Sequence, residues 1–125
     1  MPKEVQRELV TKEYWTNGVY VRELFIPADT LLTGHIHRNP CLNIVPMGDI
    51  EVVTEEGKKR VTVIDEPVIF EAPGGIKRAG YTFSDTIWIT VHSIPSDVAR
   101  DSDAMAALLT SPSFDELELH SADDH

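Results

Sequence analysis

The chain has a single cysteine, Cys41, among its 125 residues. One thiol excludes an internal disulfide and fits a reducing compartment. Long apolar runs are missing too. None approaches the roughly 20 residues that a membrane-spanning helix requires. The opening stretch Met-Pro-Lys-Glu-Val-Gln-Arg-Glu has no hydrophobic segment of the secretion type. Positive charge is scarce: 11 basic side chains stand against 21 acidic ones, a formal net charge of −10. Such a surface repels phosphate backbones and anionic lipid alike, so neither nucleic acid nor a membrane is an expected partner. There is no phosphate-cradling glycine loop, no dinucleotide fingerprint and no paired-cysteine zinc pattern. The expectation is a soluble, cytoplasmic, acidic domain.

What is present is ordinary for a globular protein: 42% hydrophobic and 26% charged residues, in a length that suits one domain. Turn signals punctuate short β-type runs at intervals of about ten residues. Gly18 to Ile26 alternates, with Val19, Val21 and Glu23 on one face and Tyr20, Arg22 and Leu24 on the other. After a turn at Pro27-Ala28-Asp29-Thr30 come strands from Leu31 to His37 and from Cys41 to Pro46. Met47-Gly48-Asp49 then turns into Ile50 to Thr54. A polar hairpin tip, Glu55-Glu56-Gly57-Lys58, returns through Arg60 to Ile64. Val68 to Glu71, Lys77 to Tyr81 and Thr86 to His92 complete the set, with turns at Ala72–Gly75 and Phe83–Asp85. Eight or so short strands without an intervening helix predict a closed barrel or sandwich.

The character changes after Pro95. Ser102 to Leu109 predicts a helix with Ser102 as N-cap, Pro112 blocks its continuation, and Ser113 to Leu117 can add a further turn. From Asp97 onward there are eight acidic residues and one arginine. Residues 1–95 are therefore read as the barrel. Residues 96–125 are read as a helix and acidic tail belonging to the same domain.

Gly34-His35-Ile36-His37 is the most specific feature. On a strand, residues two apart point to one side, so the two imidazoles converge and form half of a divalent metal site. With a glycine before, a turn after and Gly48 at the next hairpin, this stretch resembles the first motif of the cupin superfamily. Pro73-Gly74-Gly75 resembles the Pro-x-Gly of the second. Together the two motifs and the strands between them cover roughly residues 18 to 95. The resemblance implies an all-β fold: a single cupin-type barrel (double-stranded β-helix, or jelly roll) with a short C-terminal helix. The chain departs from the family at two of the four usual ligand positions. Cys41 or Leu42 stands where the first motif has glutamate, and Arg78 stands where the second has histidine.

His35 and His37 are thus the ligands carried over, and two further residues are candidates. Cys41 is either a third ligand, for zinc, iron or copper, or a small buried hydrophobe. His92 shares a strand face with Trp88 and Thr90. It completes a histidine set if that face points inward, whereas patterning favours Ile87, Ile89 and Val91 as the inward residues. The implied cofactor is one divalent transition metal: iron, zinc, manganese, nickel or copper. Arg78 suits a small anionic ligand at the barrel mouth, with Tyr20, Tyr81 and Trp88 as aromatic walls, or else forms a salt bridge to Glu23, Glu71 or Asp85.

Two functions fit. One is a small-molecule-binding barrel, catalytic or not, around a metal. The other is a non-enzymatic scaffold. The stretches Gly-Val-Tyr-Val-Arg-Glu, Gly-His-Ile-His and Asp-Thr-Ile-Trp-Ile-Thr-Val-His resemble those of short cupin-fold proteins of tailed bacteriophages. That likeness implies a structural or host-interaction role in a host cytoplasm. A homodimer, common among cupins, fits either function.

Overall fold

A computed structural model describes residues 9–34 and 36–110. Seven strands precede one helix: β1 (Val10–Thr16), β2 (Val19–Ile26), β3 (Leu31–Thr33), β4 (Cys41–Thr54), β5 (Gly57–Thr62), β6 (Val68–Ala72), β7 (Ala79–Ser93) and α1 (Ser102–Leu109). All pairings are antiparallel. The long strands β4 and β7 run beside each other and each serves two groups of neighbours. The later half of β7 pairs with β2, which carries β1 as an edge, while the first half of β4 carries β6. The first half of β7 carries β3, and the later half of β4 carries β5. The result is the expected all-β barrel.

Several elements differ from their expected bounds. Cys41–Pro46 and Ile50–Thr54 are one strand, because the Met47–Asp49 segment is a bulge and not a turn. The bulge inserts residues without breaking the ladder and bends the strand from one half of the barrel into the other. It also flips the inward parity, from Cys41, Asn43 and Val45 to Ile50. Gly48 sits there at φ +132°, where any Cβ would run into Thr86, so glycine is required. Phe83–Asp85 is likewise part of continuous β7. The strand begun at Leu31 stops at Thr33 and does not reach His37. Strand β1 has no counterpart in the sequence reading. The helix N-cap is Asp101, whose carboxylate accepts from the Ala104 N–H, while the Ser102 hydroxyl donates to Glu13. The further turn expected at Ser113–Leu117 lies outside the described residues.

The parity of β7 decides what fills the barrel. Patterning favoured Ile87, Ile89 and Val91 as inward residues. Instead Thr86, Thr90 and His92 are buried, and Trp88 packs on the core. The expectation fails because hydrophobicity marks an apolar face without saying which side of the sheet it lines. Inside are two apolar clusters separated by a polar layer. One is built from Ile26, Leu32, Val45, Ile50 and Val61. The other joins Tyr20 and Ile94 to Met105 and Leu109 of α1, so the helix plugs one end of the barrel.

Candidate metal centre

The polar layer contains Cys41, Asn43, Thr90 and His92, all buried, with His37 half-buried at its edge. Register explains the convergence. Cys41 and Asn43 occupy alternate inward positions of β4, and Thr90 and His92 those of the neighbouring β7. His37 comes from the connection before β4 and is held from two sides. Its carbonyl accepts from the Gly75 N–H at 2.8 Å, and it bridges Thr110 just beyond α1. The Pro73-Gly74-Gly75 turn can press this close only because Gly74 lacks a side chain. A Cβ there would stand 2.5 Å from the Arg38 carbonyl oxygen.

The ligand atoms of His37, Cys41 and His92 all lie within 4.8 Å of one another, the Cys41 sulfur being 3.6 Å from His37 Nδ1. The His37 and His92 rings meet edge-on with centroids 4.9 Å apart. Tetrahedral bonding at zinc-type distances requires donor–donor separations of about 3.4–3.7 Å. The cysteine–histidine pair meets this already, and the widest pair closes it by a shift of about 1 Å. Burial, reinforced by the Arg22 charge, pushes the His92 pKa down to about 4. His92 is therefore neutral at physiological pH, with a ring nitrogen able to bind a cation. Burial pushes the Cys41 thiol up, while the charge and hydrogen bond of Arg78 pull it partly back. Two imidazoles and a thiol fit a borderline-soft divalent ion.

Tyr20 stands behind the centre. Its ring stacks on His92 at 5.8 Å and its hydroxyl donates to Glu13 at 2.7 Å, an arrangement that fixes the imidazole. Arg78 makes no salt bridge to Glu23, Glu71 or Asp85. It faces Cys41, and among the described residues the ion pair is Arg60–Asp49. Arg78 and Trp88 line one cleft. Tyr81 lies elsewhere, its hydroxyl donating to Asp29 and its ring edge-on to Phe83. His35 lies outside the described residues. Sequence reading missed Asn43, wholly buried, whose side-chain oxygen accepts from Trp88 Nε1 at 3.0 Å and whose amide nitrogen has no partner. The alternation Cys41-x-Asn43-x-Val45 carried that signal.

A barrel of this topology, with a cluster of metal-type donors between β4 and β7, is the double-stranded β-helix of the cupins. No family profile and no curated relative matches the chain in sequence. Solved structures do. KdgF from Halomonas sp. is 18% identical, with TM-score 0.58 over 76% of this chain and 86% of that one. An uncharacterised double-stranded β-helix protein from Klebsiella pneumoniae is 16% identical, with TM-score 0.56 over 73% and 75%. A cupin-2 domain protein from Shewanella frigidimarina is 6% identical, with TM-score 0.54 over 75% and 85%. At these identities the likeness establishes the cupin fold. Among the described residues no helix is long and apolar enough to cross a membrane.

Proposed function

We propose that the protein is a small-molecule-binding cupin barrel centred on one divalent transition metal held by His37, Cys41 and His92. The convergence of those three donors within 4.8 Å carries the reading. The donors that converge among the described residues number three, and three protein ligands leave a coordination position for water or substrate, the pattern of reactive sites and not of closed structural ones. A metal bound there supplies a Lewis acid and lowers the pKa of a bound water. The chain supplies the rest: Tyr20 orients His92, and the Gly74–Gly75 turn holds His37.

Cobalt(II) titration tests this reading. One equivalent is expected to bind with a thiolate-to-metal charge-transfer band that is absent in Cys41→Ser. His92→Ala is expected to bind at least about tenfold more weakly, as loss of a ligand must cost at least what loss of an outer partner does. No saturable band in the wild-type chain would sink the metal reading.

A second reading, a non-enzymatic scaffold of the phage type that assembles as a homodimer, is favoured by one observation. The outer face across β1, β2, β7, β4 and β6 is apolar, with Val10, Tyr14, Leu42, Met47 and Ile69 exposed. We infer that a second copy covers it.

A further inference from the structure

A cleft of about 280 Å³ opens between the β4–β5 hairpin, β6 and the segment before β7, and Arg78, which lines it, also faces Cys41. Its volume is near the lower limit of ligand pockets, roughly 300 Å³, and suits a molecule of about one ring. Its chemistry is unlike the rest of the chain. Lys58, Lys59 and Arg78 line it against two carboxylates, Glu56 and Glu71, whereas the whole sequence has 11 basic and 21 acidic residues. Lys59 is engaged over the Phe70 ring at 4.4 Å. Arg78 is half-buried beside Cys41, and no carboxylate among the described residues pairs with it or with Lys58. The wall between them is a fixed aromatic corner. Phe70 and Trp88 meet edge-on at 5.8 Å, and Asn43 locks the indole by its hydrogen bond.

We propose that this cleft binds a small carboxylate-bearing molecule with a flat apolar body. The carboxylate is taken by Arg78 and Lys58, and the body lies against Trp88 and Phe70. A guanidinium is suited to a planar carboxylate, and partial burial strengthens the pairing over that of a surface lysine. The site needs no metal, so its failure and the failure of the metal reading are separate events.

Benzoate is the probe, with benzamide as its uncharged counterpart, and the readout is the NMR shift of the Trp88 indole N–H. Saturable shifts with benzoate and none with benzamide are expected. Arg78→Gln is expected to weaken binding about tenfold or more, the scale of a lost charged hydrogen bond. Lys58→Gln, an exposed change that leaves the fold intact, weakens it by a smaller factor. Adding one equivalent of zinc(II) to the metal-free protein is expected to leave it unchanged. Equal binding of benzamide, or unchanged affinity in Arg78→Gln, overturns the proposal. So does binding that requires the added zinc(II), which would move the ligand to the metal centre.

Discussion

At the scale of residues, His92 couples the centre to stability. Its folded pKa, about 4, lies below the ordinary histidine value of about 6.5. Between those values the unfolded chain holds a proton that the folded chain refuses, so stability falls as pH drops from 6.5 towards 4. The shift corresponds to roughly 2–3 kcal/mol at the low end of that window. Urea midpoints measured across pH 4–7 are expected to decline accordingly in the metal-free wild type and to flatten in His92→Gln. An equal slope in the variant would assign the pH dependence to the carboxylates. The residue scale is also where the sequence was least legible. His37 and Cys41 stood out through motif spacing, and His92 only as one of two parities. Arg78 read equally as ligand-binding residue or ion-pair partner. Chemistry names candidate ligands, but which face of a strand points inward depends on bulges and on neighbours distant in sequence.

At the scale of elements, the C-terminal end of α1 is tied down by the Arg38 side chain. Arg38 donates from Nε to the Thr110 carbonyl at 2.8 Å and from its other guanidinium nitrogen to the Ala107 carbonyl at 3.4 Å. These are carbonyls of the last helical turn, where partners along the helix run out and a cation is favoured. No basic residue of the helix itself stands in that turn. Leu109 of this helix and His92 line a common small cavity, so the anchored helix end closes one approach to the imidazole. Arg38→Gln is expected to cost about 1–2 kcal/mol and to speed hydrogen exchange in α1 before it affects β4 and β7. Uniform acceleration across the barrel would show that the helix does not open separately. The helix itself was legible to the residue because Pro95 and Pro112 bracket a run with strong helix formers. Its cap was not, since Asp101 and Ser102 are both good capping residues and only geometry separates them.

At the scale of the whole molecule, charge and apolar surface are segregated in a way that predicts assembly. Two copies each carrying −10 repel unless they meet on a face nearly free of net charge. The outer face of the sheet meets that condition. Lys12 stands opposite Glu23 in the β1–β2 register, Glu71 lies at its margin, and the other positions are uncharged, among them Val10, Tyr14, Val21, Phe25, Ile87, Ile89, Val91, Leu42, Ile44, Met47 and Ile69. Five strands at about 4.8 Å spacing span roughly 20–25 Å, wide enough for sheet-on-sheet packing. An isologous dimer needs a surface complementary to itself, and an apolar face whose opposite charges, Lys12 and Glu23, stand as cross-strand neighbours satisfies this. The failed parity expectation for β7 belongs to this face: Ile87, Ile89 and Val91 lie on it, while the inward positions of β7 are left to threonine, tryptophan and histidine. Light scattering is expected to give twice the chain mass for the wild type. Ile69→Lys combined with Leu42→Glu should give the monomer, with the cobalt site retained because both substitutions lie on the opposite side of β4 and β6 from Cys41. A wild-type monomer at micromolar concentration would remove the second copy from this face and leave its apolar character to another partner.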